Sequence, residues 1–287
     1  MKVRKGIILA GGSGSRLYPS TISISKQIIP IYDKPMIYYP LSTLMEAEIR
    51  DILIISSPDH IKYFENLLKD GSQLGINISY EIQESPDGLA QAFIIGETFL
   101  DNNPSCLILG DNVFYGGGLS KHLKKASYDH QNNTIFTYKV RDPSRFGVVE
   151  IDNKGNVQSI EEKPDEPKSS LAVTGLYFYD ENASSHAKEL LPSPRGELEI
   201  TDLNNIYLKN ENLKAVSLSK GYAWLDTGTP ESLIEASNFI YTIEKRQGSK
   251  ICCPEEIALM KEWINKEDLL KNIENSFNPY NDYLRGL

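Results

Sequence analysis

The sequence KGIILAGGSGSRLYPSTISISKQ, residues 5–27, joins an apolar run to a glycine-rich segment that carries two cations. The β-branched run predicts a strand, and the glycines let the backbone turn sharply and point several N–H groups at an anion. Arg16 offers a planar fork suited to phosphate oxygens, and Lys26 a compact charge. These features favour a phosphate-binding loop after the first strand, with an ordinary solvated loop as the alternative.

Two widespread nucleotide loops fit this segment poorly. A Walker-type P-loop requires GxxxxGK[ST], which occurs nowhere in the sequence. The GSG at 12–14 begins a dinucleotide-binding GxGxxG motif, with Asp33 as a candidate ribose-binding acid, but Leu17 replaces the third glycine. Pro19 and its Ser, Thr and Ile neighbours also disfavour the crossover helix that a βαβ unit needs. The dinucleotide loop is therefore the less favoured alternative.

Strand-like and helix-like segments alternate through the first half of the chain. Strands are predicted at 6–10, 51–56, 76–82, 106–111 and 134–140, and helices at about 36–48, 58–69, 88–100 and 117–127. The alternation predicts an α/β fold with a Rossmann-like, mostly parallel central sheet flanked by helices. Ligands bind such sheets at the carboxyl ends of strands, so sites are expected just after Ala10, Ile82 and Gly110.

The second half of the chain has a different pattern of predicted strands and helices. From residue 141, shorter strands and turns, including a turn at Asn153–Asn156, predict a small β-rich portion with one helix at 199–210. Helical periodicity follows from Pro230 to about 246 and again at 254–263 and 266–274. We therefore predict an α/β core over 1–229, divided near residue 140, and a helical C-terminal section over 230–287.

Composition narrows the class of protein. The 287 residues have a net charge of −9, which argues against a nucleic-acid-binding surface, although residues 1–34 alone carry +5. No apolar run approaches the roughly 20 residues of a membrane span. The three cysteines form no CxxC or metal-binding spacing and suit a reducing compartment. We expect a cytoplasmic protein with a local site for a small anion.

Two strings at the N-terminus, LAGGSGSRLYP (9–19) and SKQIIPIYDKPMIYYPL (25–41), resemble the signature of the sugar-1-phosphate nucleotidyltransferases. Further matching strings follow in order through residue 263: SPDGLAQAF (85–93), LGDNVFYG (109–116), EEKP (161–164), VTGLYFYD (173–180), SPRGELEITD (193–202) and GYAWLDTGT (221–229). The resemblance implies that dTTP and glucose 1-phosphate react to give dTDP-glucose and pyrophosphate with Mg²⁺. It also implies a place in dTDP-rhamnose and related surface glycan synthesis, such as lipopolysaccharide O-antigen.

Residue roles also follow from the resemblance. It implies that Arg16 steadies the departing pyrophosphate, that Lys26 contacts the triphosphate and that Lys163 binds the sugar phosphate. Asp111 and Asp226 are its implied metal ligands. The implied nucleotide-binding residues are Leu9, Gly11, Gly12, Ser13, Gly14, Gln27, Gln83, Pro86, Gly88 and Asp111. The implied sugar-binding residues are Leu89, Phe146, Gly147, Glu162, Lys163, Thr174, Gly175, Tyr177 and Trp224.

These residue types suit the chemistry. When a sugar phosphate attacks the α-phosphorus of a nucleotide, both partners are anions, so positioning and charge neutralisation do most of the work and no protein nucleophile is needed. Two carboxylates provide hard oxygen ligands for Mg²⁺. Simpler roles exist for single residues: an Asp often caps a turn, Gln83 could end a strand in solvent, and aromatic residues are often core. Phe146 departs from the family, which commonly has Tyr there.

The C-terminal segment CCPEEIALMKEW resembles a section that, in this family, packs between the subunits of a homotetramer and helps form a second nucleotide site for feedback. Tyr115, Gly116, Lys220 and Glu256 are the allosteric candidates by resemblance. Three alternatives stay open: a transferase for another base or hexose phosphate, a nucleotide-sensing homologue without turnover, and a dinucleotide-dependent oxidoreductase. The joint presence of Arg16 and the other charged site residues argues against the sensing homologue.

Overall fold

A computed structural model describes residues 2–12, 14–152, 155–273 and 278–287. The strands are β1 (Lys5–Ala10), β2 (Pro30–Ile31), β3 (Lys34–Pro35), β4 (Asp51–Ser56), β5 (Asn77–Ile82), β6 (Ser105–Leu109), β7 (Asn112–Gly116), β8 (Asn133–Lys139), β9 (Gly147–Ile151), β10 (Val157–Glu162), β11 (Leu171–Tyr179), β12 (Leu213–Leu218) and β13 (Tyr222–Asp226). The helices are α1 (Tyr38–Glu46), α2 (Ile61–Leu68), α3 (Gln91–Ile95), α4 (Glu97–Leu100), α5 (Leu119–Tyr128), α6 (Ala183–Glu189), α7 (Ile200–Lys209), α8 (Pro230–Gln247), α9 (Pro254–Met260), α10 (Lys266–Asn272) and α11 (Pro279–Gly286).

The predicted α/β fold with a mostly parallel central sheet is confirmed. β1 lies between β4 and β6, and β5 adds to β4, all in parallel. β11 joins β6 in antiparallel orientation and also pairs with β8 and β9, while β12 and β10 complete the nine-stranded sheet. Because the carboxyl ends of β1, β4, β5 and β6 lie at one edge, the loops that follow them converge there.

Apolar side chains on both faces of β1 explain why its sequence is continuously hydrophobic. Ile8 belongs to a core cluster with residues of α1, α2, α5 and α9, whereas Ile7 belongs to a second cluster with residues of α3, α6 and α7. Parallel strands covered on both faces are typically such apolar runs. Each of these fully buried isoleucines stabilises the fold by about 1.5–3 kcal/mol relative to exposure.

The C-terminal helices pack beside this core. α9 contacts α1, and residues of α9, α10 and α11 share the first cluster. α8 packs with β2 and β7 around a third cluster that includes Met36 and Ile240. The boundaries at residues 140 and 229 remain predictions. None of the described helices has both the length and the apolar character to cross a membrane.

Several local predictions differ from the structure. The helix predicted at 88–100 is two helices separated by Gly96, whose φ of −81° and ψ of 3° depart from helical geometry, and glycine is a poor helix former. β7, α6 and α11 were not predicted. α11 had a recognisable start, an Asn278 cap followed by Pro279. Of the predicted turn at 153–156, Asn153 and Lys154 lie outside the described residues.

Candidate active site

The glycine-rich segment turns away from the end of β1 into a short 3-10 helix, Ser15–Leu17. Gly14 has φ +62°, and an added Cβ would lie 2.8 Å from the Thr21 methyl group, so glycine suits this turn. The hydroxyl of Thr21 donates to the Gly14 carbonyl at 2.9 Å. Leu17 is buried beneath the loop and leaves the neighbouring Arg16 exposed toward the cleft. Ser13 lies outside the described residues.

Lys26 and Asp111 meet across the carboxyl ends of β1 and β6. Lys26 begins a short 3-10 helix, is 6% exposed, and its ammonium forms an ion pair with Asp111 Oδ2. The other carboxylate oxygen, Oδ1, accepts a hydrogen bond from Asn112 Nδ2 at 2.9 Å. Asn112 Oδ1 in turn accepts from the indole N–H of Trp224. Each oxygen of Asp111 thus accepts from one donor, and Trp224 in turn orients the Asn112 amide that is one of these donors.

Asp226 lies at the end of β13, and both its burial and the charges around it affect its pKa. Burial raises the pKa of Asp226 above its ordinary value, and the negative charge of Asp111 raises it further. Lys26, Arg16 and Arg145 act in the opposite direction without cancelling these effects. The site therefore holds two carboxylates whose mutual repulsion an added cation would relieve.

The donors at this point suit a metal that is only partly coordinated by protein. A Cβ added to Gly228 would lie 3.0 Å from both Arg16 Nη2 and Asp226 Oδ1, so the guanidinium and the carboxylate flank the same glycine. Across the described ranges, no three His, Cys, Asp or Glu side chains converge as a metal cage. Two carboxylates fit Mg²⁺, which usually takes its other ligands from phosphates and water.

One lobe of the cleft, about 350 Å³, lies over the ends of β1 and β5. Gln83 is 3% exposed, and its amide donates to Gln91 Oε1 at 2.6 Å. An added Cβ at Gly11 would lie 1.9 Å from Gln83 Oε1, so glycine makes room for this amide. Gly88 has φ +112° and faces the backbone of Leu198. The lobe is lined by Leu9, Gly12, Arg16, Gln27, Gln83, Pro86, Gly88, Leu89, Leu109, Asp111 and Glu197.

A second lobe, about 280 Å³, lies between β9, β10, β11 and β13. Glu162 accepts a hydrogen bond from the Thr201 hydroxyl at 2.6 Å, and its other oxygen lies 3.6 Å from the Lys163 ammonium. Phe146 packs edge-on against Trp224, with ring centroids 5.1 Å apart. The predicted sugar-binding residues that line this lobe are Leu89, Phe146, Gly147, Glu162, Lys163, Gly175, Tyr177 and Trp224.

Thr174 is the predicted sugar-binding residue that does not line this lobe. Its side chain is fully buried, and its hydroxyl donates to the Phe136 carbonyl at 3.0 Å. The two lobes share Arg16, Leu89, Leu109 and Asp111. Two ligands, one in each lobe, would therefore meet beside Asp111.

Five polar residues of the cleft were not among the predicted site residues, and one of them, Glu197, lines the first lobe. Asn112, Arg145 and Thr201 line the second lobe, and the Arg195 guanidinium lies 3.5 Å from Glu162 and 2.7 Å from Glu199. Asn112, Arg195 and Thr201 fall inside strings that carry the family resemblance, which is a usable signal, whereas Arg145 lies outside those strings. The contact of Thr201 with Glu162 had no such signal, because it joins distant parts of the chain.

A third cavity, about 280 Å³, lies away from the cleft between α1, β7, α5 and α9. Tyr115, Gly116 and Glu256, three of the four allosteric candidates, line it, whereas Lys220 does not. Burial raises the pKa of the carboxyl group of Glu256 above its ordinary value. These three candidates therefore share one cavity that is separate from the two-lobed cleft.

Comparison with known proteins assigns the class. Residues 5–243 match the family model described as nucleotidyl transferase, and the chain belongs to this family. The resemblance to sugar-1-phosphate nucleotidyltransferases is thereby confirmed. A glucose-1-phosphate thymidylyltransferase of Xanthomonas campestris is 58% identical, with 100% of this chain and 98% of that protein covered. One from Neisseria gonorrhoeae is 56% identical over 99% of both chains.

Solved structures agree on the architecture. A crystal structure from Bacillus anthracis, assigned as a glucose-1-phosphate thymidylyltransferase and containing sucrose, matches with a TM-score of 0.76 and 42% identity over 83% of this chain and 95% of that chain. UDP-glucose pyrophosphorylase with UDP-glucose matches with a TM-score of 0.74 and 27% identity, covering 84% of this chain and 99% of that one. The dinucleotide oxidoreductase alternative finds no support in this family membership.

Proposed function

We propose that the protein joins dTTP and glucose 1-phosphate to form dTDP-glucose and pyrophosphate. The observation that carries this proposal is the two-lobed cleft, whose lobes meet at Arg16 and Asp111. Full-length relatives at 56–58% identity named glucose-1-phosphate thymidylyltransferase support the choice of substrates. A nucleotide in the first lobe and a sugar phosphate in the second would bring their phosphates together between these two residues.

Each lobe has groups that suit its proposed ligand. The amide of Gln83 can donate to and accept from the edge of a pyrimidine base, and the absence of a side chain at Gly88 allows close approach. Glu162 can accept hydrogen bonds from sugar hydroxyls, while Lys163 neutralises the sugar phosphate. With both substrates aligned, an oxygen of the sugar phosphate attacks the α-phosphorus as pyrophosphate leaves on the opposite side.

Arg16 and Lys26 supply positive charge on the triphosphate side. Arg16 is exposed in the loop and can stabilise charge that develops on the leaving pyrophosphate. Lys26 already pairs with Asp111 and can turn toward a triphosphate when one binds. Asp111 and Asp226 would hold Mg²⁺, which when bound neutralises phosphate charge and orients the reacting groups.

The direct test is incubation of the protein with dTTP, glucose 1-phosphate and Mg²⁺, followed by detection of pyrophosphate. We expect kcat/KM to be highest for dTTP when UTP, CTP and ATP are compared with the same sugar phosphate. Comparison of hexose 1-phosphates in the same assay tests the second lobe, where Phe146 lacks the phenolic hydroxyl common in the family. A clear preference for UTP would contradict the choice of dTTP. It would instead indicate a UDP-glucose pyrophosphorylase activity, like that of the relative solved with UDP-glucose.

The wider role is part of the same proposal. dTDP-glucose would feed dTDP-rhamnose and related surface glycans, including lipopolysaccharide O-antigen. The three cysteines are free, which suits a reducing cytoplasm. The proposal includes a homotetramer with feedback: three of the allosteric candidates line the third cavity, which suits a second nucleotide site, and size-exclusion chromatography with light scattering would measure the assembly directly. We also keep the proposed division into a nucleotide-binding part (1–140), a sugar-binding part (141–229) and a helical section (230–287). Apart from Glu197, the residues that line the first lobe fall within 1–140, whereas the second lobe is lined by residues of both of the first two parts.

A further inference from the structure

Thr227 lies buried at the point where three segments of the candidate active site meet. It directly follows Asp226, and its side chain is fully buried. Its hydroxyl donates to the main-chain carbonyl of Asp111 at 2.8 Å, and its backbone N–H donates to the same oxygen at 3.3 Å. The hydroxyl oxygen also lies 3.2 Å from Met36 Sδ. Thr227 lines neither lobe of the cleft.

These bonds extend a short antiparallel ribbon. β7 and β13 pair from Tyr222 opposite Gly116 to Asp226 opposite Asn112. The contact between Thr227 and Asp111 adds one more pair to this ladder, just beyond the last paired residues. It ties the backbones of the two acidic residues together where their like charges would drive the segments apart.

Met36 extends the connection to the segment that carries Lys26. The N–H of Met36 bonds to the Ile29 carbonyl at 3.1 Å, and the N–H of Ile37 bonds to the Gln27 carbonyl at 2.9 Å. Met36 is fully buried and thus has little freedom to move. Thr227 consequently contacts the backbone of one acid, adjoins the other, and touches the segment that presents the cation paired with Asp111.

We propose that Thr227 is a positioning residue, whose hydroxyl sets the spacing of the Asp111 and Asp226 carboxylates and thereby the affinity of this pair for a divalent cation. The inference rests on the proposed function, because it takes these two carboxylates as the metal ligands. The hydroxyl is the essential group: without it, the longer contact with the backbone N–H is the one that the Asp111 carbonyl keeps among the described residues. The outer groups that orient metal ligands commonly control affinity in this way.

Binding of Mn²⁺ by the full chain provides a test that does not depend on turnover. Free Mn²⁺ is measured by electron paramagnetic resonance at fixed concentrations of protein and dTDP-glucose. Thr227→Val keeps the volume of the side chain and removes the hydroxyl, and we expect its apparent Kd for Mn²⁺ to rise by about tenfold. In the forward reaction, excess Mg²⁺ should restore most of the kcat of this variant, because the hydroxyl contacts no reacting atom.

A second pair of variants separates the hydroxyl from the packing of the methyl group. Thr227→Ser should bind Mn²⁺ close to wild type, whereas Thr227→Ala should resemble Thr227→Val. This comparison also decides the question if Thr227→Val fails to fold. Equal weakening in the Ser and Ala variants, or unchanged affinity in a folded Thr227→Val, would overturn the role of the hydroxyl.

Thr137 offers a matched control in β8, where it lines neither lobe of the cleft. It is fully buried, and its hydroxyl lies 2.9 Å from Ser217 Oγ between β8 and β12. Thr137→Val should bind Mn²⁺ as wild type does, and weakening there would contradict a specific role for Thr227. If wild-type protein itself fails to bind Mn²⁺, the proposed metal pair is wrong; if wild type binds normally, the result for Thr227 concerns the positioning residue alone.

Discussion

At the scale of single residues, Gly11 shows how the cleft depends on an absent side chain. A Cβ at this position would lie 1.9 Å from Gln83 Oε1, so the amide of Gln83 must shift from its place in the first lobe. We expect Gly11→Ala to raise the KM for dTTP by about tenfold, because overpacking of this kind costs about 1–3 kcal/mol. Steady-state kinetics with varied dTTP measures the effect.

Gly117 provides the control for that substitution. It lies outside both lobes, and a Cβ added there meets no atom within 4 Å. Gly117→Ala should leave the KM for dTTP unchanged. An unaltered KM in Gly11→Ala would mean that Gln83 does not contact the base, whereas an equal rise in both variants would point to a general effect of alanine.

Asp226 combines a functional role with a cost in stability. Since its pKa is raised in the folded protein, the folded state favours the protonated acid, and the buried charge is destabilising above that pKa. Asp226→Asn should increase the free energy of unfolding by about 1 kcal/mol at neutral pH. The gain should fade as the pH falls and wild-type Asp226 becomes protonated. Urea unfolding across a pH series measures this difference.

The same variant should lose turnover by orders of magnitude, because the amide is a poorer metal ligand than the carboxylate. Asp59→Asn, at an exposed position, should change neither stability nor turnover. Full activity of Asp226→Asn would show that this residue is not a metal ligand. Lower stability of the variant at neutral pH would show that the ionised carboxylate stabilises the fold instead of destabilising it.

At the scale of secondary-structure elements, Arg4 forms hydrogen bonds to the ends of two strands and one helix. Its guanidinium donates to the carbonyls of Ser105 in β6, Tyr179 in β11 and Ser127 in α5 at 2.6–2.9 Å, and to Asp129 just beyond α5 at 3.0 Å. Burial lowers the pKa of Arg4 from its ordinary value. Arg4→Met should therefore reduce the free energy of unfolding by about 3 kcal/mol, since it leaves buried carbonyls without donors. Urea unfolding measures the change.

Lys2→Met serves as the control for Arg4→Met. Lys2 lies two residues before Arg4 and forms an exposed ion pair with Glu181. Its replacement should have little effect on the free energy of unfolding. Stability equal to wild type in Arg4→Met would show that water satisfies these carbonyls as well as the guanidinium does.

Some strands and helices of this structure could be predicted from the sequence, and others could not. β1, β4 and α8 could be predicted because apolar periodicity and turn residues are local signals. The positions of Gly12, Gln83 and Asp111 after strands likewise followed from the general location of sites in α/β sheets. The bond between Thr201 and Glu162 could not be predicted, because it depends on how α7 packs beside β10. β7 escaped because its partner, β13, lies far along the chain.

At the scale of the whole molecule, a buried ion network joins the N-terminal part of the chain to the C-terminal helical section. Lys34 lies 2.7 Å from Asp33 and 3.0 Å from Glu244 of α8, while Lys250 pairs with both acids. Burial alone would raise the pKa of Asp33, but the charges and hydrogen bonds of Lys34 and Lys250 outweigh it and hold the pKa below its ordinary value.

Asp33 should therefore depend on pH in the opposite sense to Asp226. Its ionised form stabilises the fold above the unfolded-state pKa, and this contribution is lost as the pH falls through the lower folded-state pKa. Asp33→Asn should cost about 2 kcal/mol at neutral pH and progressively less in acid. Urea unfolding of Asp33→Asn, Asp226→Asn and the Asp59→Asn control over one pH series tests both signs together. Parallel pH curves for the first two variants would contradict the assignment of one carboxylate to a structural network and the other to a site that awaits a cation.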